Sequence, residues 1–232
     1  MHRFYLSADT FSGDYIDSSD KGLILQLSKV LRAKEGDQFW LFDGLGYEYL
    51  GQIVELSAKS VRFLLIDKKY STHEPVSQVV LYQSLLKSDK LEWVMQKAAE
   101  LGVKEIVPVI SSRSIVRQIT ASKMERYQDI LKEATEQCGG AIIPKLVLAI
   151  DFKEAGKLVA KEDGLKFIAW EQETDRQLKI AGKVHIFVGP EGGFSEEEIN
   201  LAKNNNIEAI TLGSRILRAE TAAIVVLAKL LF

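Results

Sequence analysis

The chain has 232 residues, with 30 Lys+Arg against 32 Asp+Glu and a formal net charge of -2. At 47% hydrophobic and 27% charged it is too apolar for a disordered chain, and its length allows one large or two modest domains. Near-neutrality excludes a protein that grips nucleic acid by bulk positive field, since such domains carry a pI above about 9, but it leaves a local basic face open.

Cys138 is the single cysteine, so an intrachain disulfide is excluded and a reducing, cytoplasmic compartment is expected. One cysteine with three scattered histidines (His2, His73, His185) argues against a metal site. The opening MHRFYLSAD is too polar for a signal peptide. The longest apolar stretch, 222–232, is interrupted by Lys229 and falls well short of the roughly 20 residues that cross a bilayer, so no membrane association is expected.

Up to about residue 72 the apolar runs are short and β-rich: 3–6, 38–42, 47–55 and 61–66. Turn material such as Asp43-Gly44-Leu45-Gly46 separates them, and Leu23, Leu27, Val30 and Leu31 repeat at helical spacing within 22–31. The pattern predicts a small, mostly antiparallel β domain or barrel over 1–72 with one helix. A polar linker follows at 68–75 (KKYSTHEP).

From 76 to 232 strands and helices alternate. Strands are predicted at 79–83, 104–110, 145–148, 165–170, 184–188 and 207–212. Ser88 or Asp89 caps a helix running to Gly102; Ser122-Lys123-Met124-Glu125 reads as a capping box opening a helix that stops near Gly139-Gly140. Further helices are predicted at 151–159, from the capping box Ser195–Glu198 to about Asn204, and at 220–231. This alternation predicts an α/β domain with a largely parallel sheet covered on both faces.

Ligands of such sheets bind beyond the carboxyl ends of the strands, and two loops occupy such places. The first is Gly189-Pro190-Glu191-Gly192-Gly193-Phe194, whose three glycines and proline suit a rigid backbone close to a ligand. It has no Gly-Lys-Ser/Thr ending and lies among Glu191, Glu196, Glu197 and Glu198, so it is neither a P-loop nor a dinucleotide fingerprint. Glu196–Glu198 are explained simply as acids at a helix N-terminus. The second loop runs from Leu212 and Gly213 through Arg215, Ile216, Leu217, Arg218 and Glu220 to Thr221 and Ala222, with charges set between apolar residues. Such charges are normally paired or functional. Apolar side chains here and an anionic first loop suit an adenosine bearing a sulfonium cation better than one bearing phosphates.

Residues 82–132 contain 9 Lys+Arg and 6 Asp+Glu, ordinarily a solvated face. Arg113 and Arg117 are singled out because they follow a strand, on the ligand side of the sheet; with Arg3, Arg32 and Lys87 they are candidates for phosphate contact. Trp40, Trp93, Met95 and Cys138 are expected in the core, and His185 as a satisfied core histidine.

The two loops together resemble the 16S ribosomal RNA uridine-N3 methyltransferases, S-adenosylmethionine-dependent enzymes of the SPOUT class. His2-Arg3-Phe4, Lys87-Ser88-Asp89-Lys90-Leu91-Glu92, Lys97-Ala98-x-Glu100-Leu101-Gly102-Val103, Arg113-Ser114, Lys132-Glu133-Ala134-x-Glu136-Gln137 and Ile143-Pro144 are similar to the same pattern, so the resemblance covers essentially the whole chain. One position departs: Gly140 stands where the family often has arginine.

The resemblance implies a PUA-like β-barrel for RNA, followed by a SPOUT α/β domain closed by a C-terminal trefoil knot. It implies S-adenosyl-L-methionine held by Trp170, Glu171, Gly189–Gly193, Leu212, Gly213, Ile216, Leu217, Arg218, Thr221 and Ala222. It further implies a homodimer, and 16S ribosomal RNA, in an assembled or partly assembled 30S particle, as substrate. N3 methylation leaves negative charge on the uracil, which Arg218 and Arg113 are expected to stabilise, with Glu220 the alternative proton acceptor. Two other readings compete: a non-catalytic RNA-binding protein with a degenerate cofactor site, and a nucleotide-utilising α/β enzyme, which the acidic first loop disfavours.

Overall fold

The computed structural model describes residues 2–87, 89–174 and 182–232; Ser88, one of the two candidate helix caps, lies outside them. Backbone contacts divide the chain into two compact units, Met1–Glu74 with Thr135–Ile143, and Pro75–Ala134 with Pro144–Phe232.

The first unit contains β1 (Arg3–Tyr5), β2 (Tyr15–Ser18), α1 (Lys21–Leu25), β3 (Gln38–Phe42), β4 (Tyr47–Leu56) and β5 (Val61–Tyr70). They form one sheet in the order β1-β3-β4-β5-β2, with β1 parallel to β3 and the other pairs antiparallel. Alternate residues point inward, so Phe39 and Leu41 join Tyr49, Ile53, Val61 and Phe63 under Leu23, Ile24 and Leu27. Asp20 opens α1 by accepting from the Leu23 amide at 2.7 Å. The helical stretch continues as one wide π turn, Gln26–Val30, and ends with Arg32 at φ 52.

Three expectations shift here. Strand β5 continues to Tyr70, so the first three residues of the stretch read as linker, 68–70, are strand. The edge strand β2 escapes sequence reading because Ile16 is its single buried hydrophobe, too little for a period-two signal. Cys138 is exposed rather than buried, because the chain turns out of its helix immediately afterwards at Gly139, φ 86.

Residues 135–143 are tied to the first unit by polar contacts. The Arg3 guanidinium pairs with the buried Glu48 carboxylate and donates to the Gly140 carbonyl at 2.9 Å. The Tyr5 amide donates to Glu136 at 2.8 Å, and one Glu74 oxygen accepts from the Ala141 and Ile142 amides at 2.6 and 3.1 Å.

The second unit contains β6 (Gln78–Ser84), α2 (Asp89–Leu101), β7 (Glu105–Ile110), α3 (Ala121–Cys138, whose last turn belongs to the first unit), β8 (Lys145–Leu146), β9 (Ile150–Asp151) and α4 (Phe152–Val159). It continues with β10 (Leu165–Ala169), β11 (Lys183–Val188), α5 (Glu196–Asn204), β12 (Glu208–Ile210) and α6 (Ala219–Leu231). The sheet order is β12-β10-β11-β6-β7-β8, with β9 also pairing β7, and every pair is parallel. One face packs Val80, Tyr82, Val107 and Phe187 against Phe152 and Ala155 of α4 and Ile199 and Ala202 of α5. On the other face α6 packs on β6, β11 and α2.

The starts of α4 and α5 follow side-chain capping. Asp151 opens α4 by accepting from the Lys153 amide at 2.9 Å, and the Ser195–Glu198 capping box opens α5 as expected. The Ser122 box is not formed: α3 begins at Ala121, two residues before the start that box would set, and Thr120 Oγ1 accepts from the Lys123 amide. Trp93, expected in the core, is 46% exposed, whereas Met95 is fully buried, because a helix turns 100° per residue and these two cannot share a face. His185 is a satisfied core histidine: Nδ1 lies 3.4 Å from the Tyr82 hydroxyl and Nε2 3.1 Å from the Asp163 carbonyl.

Candidate cofactor-binding site

Three neighbouring strands, β12, β10 and β11, end side by side, and their following loops enclose a cavity of about 250 Å³. Ala169, Trp170 and Glu171 leave β10; Val188 to Phe194 leave β11; Thr211, Leu212, Gly213, Arg215, Ile216 and Leu217 leave β12, and Ala219 and Ala222 of α6 complete the wall. This is the carboxyl edge of a parallel sheet, where every strand delivers its loop to the same side.

The first loop is shaped by backbone that only glycine supplies. Gly193 adopts φ 66, and a Cβ there would stand 2.7 Å from Glu171 Oε1, so the Glu171 carboxylate lies directly over the loop. A Cβ on Gly189 would meet the Phe194 ring at 3.2 Å, and one on Gly192 would meet Arg113 Cβ at 3.3 Å. Phe194 is buried under the loop against Phe152, which anchors it to the core.

Arg113 does not stand free. Its Nη1 donates to the Gly192 and Phe194 carbonyls at 2.9 and 3.3 Å, clasping the glycine loop from the loop after β7. Arg117 in turn holds the loop after β7, donating to the Ser111 and Ser112 carbonyls at 2.9 and 2.7 Å. Glu198, read from sequence as a simple helix-start acid, does more. Besides completing the capping box, its carboxylate accepts from the Ser112 amide and hydroxyl at 2.8 and 2.9 Å. Its capping-box spacing was visible in the sequence; its contact 86 residues away was not.

The sequence-derived residues therefore fall into distinct places. Trp170, Glu171, Gly189, Pro190, Glu191, Gly192, Gly193, Leu212, Gly213, Ile216, Leu217 and Ala222 line the cavity together. Arg218 and Thr221 do not line it; both are exposed at the start of α6. The Arg218 side chain makes no hydrogen bond or ion pair among the described residues; its backbone supplies the α6 N-cap, the carbonyl accepting from the Ala222 amide at 2.8 Å, without side-chain capping. Glu220 faces Lys90 at 3.7 Å. In the first unit, Arg3 is committed to Glu48 and Gly140, whereas Arg32 is exposed.

Charge around the cavity is mixed, with acids at the glycine loop. Burial by itself pushes the Glu191 carboxyl up, but hydrogen bonds from its own amide and the Lys87 amide, together with the Lys90 ammonium, outweigh it and hold the group below its ordinary value. The lining carboxylates Glu171 and Glu191 suit a cationic ligand group, and Ala169, Val188, Leu212, Ile216 and Leu217 suit a flat apolar ring. Among the described residues no lysine lines the cavity and Arg215 is the one basic side chain that does, a poor set for a polyphosphate. Among the described residues no group of His, Cys, Asp and Glu is arranged to hold a metal ion, and no helix is long and apolar enough to cross a membrane.

Comparison with known proteins accounts for this arrangement. A family model for the RNA methyltransferase domain matches residues 72–231, and one for the RNA methyltransferase PUA domain matches residues 27–66. Ribosomal RNA small subunit methyltransferase E of Mesomycoplasma hyopneumoniae is 35% identical, over 89% of this chain and 90% of that protein. The chain belongs to the ribosomal RNA small subunit methyltransferase E family. The Rickettsia conorii member is 31% identical over 98% of this chain and 94% of its own length. The crystal structure of the Neisseria gonorrhoeae member, bound to S-adenosyl methionine, superimposes with a TM-score of 0.86 at 32% identity, covering 99% of this chain and 96% of that one. The α/β class, the PUA-like first region and the family resemblance expected from sequence are all found in the present chain.

Proposed function

We propose that this protein is a methyltransferase that uses S-adenosyl-L-methionine to methylate N3 of a specific uridine in 16S ribosomal RNA of the small subunit. The observation that carries the reading is the cavity over the ends of β10, β11 and β12, apolar at its walls and acidic at its glycine loop, in a chain whose relative from Neisseria gonorrhoeae was solved with S-adenosyl methionine bound. At about 250 Å³ it lies just under the range of roughly 300–1,000 Å³ that encloses a whole drug-sized ligand, so a nucleoside fills it and the remainder of the cofactor extends along the loops.

In this reading the adenine lies among Leu212, Ile216 and Leu217, and the two carboxylates, Glu171 and Glu191, face the cationic end. The cofactor supplies an activated methyl group. The protein's own task is to hold the uridine N3 in line and to stabilise the charge left on the uracil once its proton departs. The Arg218 side chain is free of partners among the described residues and directly follows the cavity-lining Leu217, so it is assigned to that charge. Arg113, with Nη1 spent on the glycine loop, organises the loop first and faces the RNA second. Arg32, Lys87 and Arg117 are assigned to RNA phosphates, and Arg3 to holding the first unit together.

A homodimer, a 30S-type particle as substrate, a cytoplasmic location and the C-terminal knot belong to the same reading. Residues 1–73 carry 9 basic and 10 acidic groups and residues 74–232 carry 21 and 22, so placed cations rather than net charge hold the RNA. The test joins two measurements. Calorimetry with S-adenosylhomocysteine is expected to show saturable binding, and methyl transfer to 30S particles is expected to leave one N3-methyluridine on mass mapping of the RNA. Absence of heat at millimolar ligand, with RNA still bound, would favour the non-catalytic RNA-binding reading.

A further inference from the structure

Lys90 is the second residue of α2, where the helix macrodipole disfavours a cation. Its ammonium nevertheless lies there between two carboxylates from other elements. Glu191 Oε1, on the glycine loop after β11, is 3.4 Å away, and Glu220 Oε2, in the first turn of α6, is 3.7 Å away. The Glu220 oxygen is buried and makes no hydrogen bond, so the Lys90 charge is its one neutralising contact among the described residues. Glu191 receives a second tie from the same region, the Lys87 amide at 3.3 Å.

We infer that Lys90 is a positioning residue for the cofactor cavity, an electrostatic rivet that fixes the glycine loop after β11 relative to the start of α6. The inference rests on the reading of that cavity as the cofactor site. Glu191 lines the cavity, and so do Ala219 and Ala222 on either side of Glu220 in α6. Remove the ammonium and two carboxylates face each other's field without compensation, so the two walls separate or Glu191 turns into the cavity. Either change alters the cofactor's seat while the hydrophobic sheet beneath remains packed. Glu220 is thereby assigned to Lys90, and not to proton transfer. Isolated exposed ion pairs contribute little, but this one is a three-charge network whose side chains are 34% (Lys90), 26% (Glu191) and 15% (Glu220) exposed.

The test is S-adenosylhomocysteine binding by calorimetry on the full chain, with circular dichroism confirming the fold of each variant. Lys90→Gln is expected to weaken binding about tenfold, and Lys90→Arg to restore it to within about threefold of the parent. Glu191→Gln is expected to cost several-fold in the parent and almost nothing in the Lys90→Gln background, the non-additivity of a shared network. Parent-like affinity in Lys90→Gln overturns the inference. So does a Lys90→Gln protein that loses affinity for RNA but keeps its affinity for S-adenosylhomocysteine, since that marks Lys90 as a phosphate contact. Should Lys90→Gln not fold, Glu220→Gln takes its place: several-fold weaker binding by folded protein supports the rivet, and unchanged binding refutes it. A parent protein that gives no heat at all removes the cofactor reading itself, and is recognised before any variant is made.

Discussion

The Glu198 carboxylate grips Ser112 twice, accepting from its amide at 2.8 Å and from its hydroxyl at 2.9 Å. Because Glu198 also closes the capping box on Ser195, one buried side chain joins the loop after β7 to the start of α5, with the glycine loop between them. Replacing it by alanine leaves the Ser112 and Ser195 amides without their acceptor. A cost of about 1–3 kcal/mol is expected from the orphaned donors, read as a lower denaturation midpoint at unchanged m-value. Glu198→Gln, which keeps acceptor oxygen but not the charge, is expected to recover part of it.

Gly193 tests the cavity's shape. Its φ of 66 and the 2.7 Å approach of Glu171 Oε1 mean that Gly193→Ala strains the backbone and displaces the carboxylate together. S-adenosylhomocysteine affinity is expected to fall at least tenfold by calorimetry, with a stability loss of about 1 kcal/mol or more for the left-handed backbone alone. Affinity equal to the parent's would show that the loop relaxes without affecting the site.

Arg218 has the opposite profile. Its side chain is exposed and unpartnered among the described residues, so Arg218→Ala is expected to leave stability within about 0.5 kcal/mol of the parent. If it stabilises the uridine anion, kcat falls by about 10²–10³, the usual effect of removing one preorganised donor to a developing oxyanion. Single-turnover methylation of 30S particles measures this, with a melting curve as the control.

His185 makes stability pH-dependent in a stated direction. Burial holds its folded pKa below the ordinary value of about 6.5, so the folded state keeps a neutral ring that the unfolded chain protonates more readily. The stabilisation is complete above pH 6.5 and is lost as pH falls from there toward the folded pKa. Urea midpoints measured from pH 7.5 to 5 are expected to decline, and His185→Gln to decline less over that window. Parallel slopes for the two proteins would exclude His185 as the source.

Much of the second unit was legible because strands there are buried on both faces and helices carry caps. Residues 79–83 and 184–188 read as largely apolar runs, broken only by Gln83 and His185, and Ser195–Glu198 announced its helix. The Ser122 box misled because any Ser-x-x-Glu fits the pattern, while Thr120 stood closer to the true helix start. Loops 189–194 and 212–222 were identifiable by composition alone. What each of their arginines does was not, since Arg113 donates to carbonyls and Arg218 to none, and carbonyl positions leave no trace in side-chain identity.

The family resemblance implied the individual cofactor contacts, Trp170 and Glu171 among them; the amino-acid order by itself determined the alternation of strands and helices, the two texture zones and the two loops, 189–194 and 212–222, that meet at one cavity. These follow from local periodicity, glycine's backbone freedom and motif spacing, all properties of neighbours along the chain. Only the tertiary structure decided that residues 135–143 pack with the first unit, that Arg3 is spent on Glu48 and Gly140, and that Lys90 stands between Glu191 and Glu220. Those facts pair groups up to 137 residues apart, and the energy of a charge or a hydrogen bond depends on distance in space, to which separation along the chain is blind.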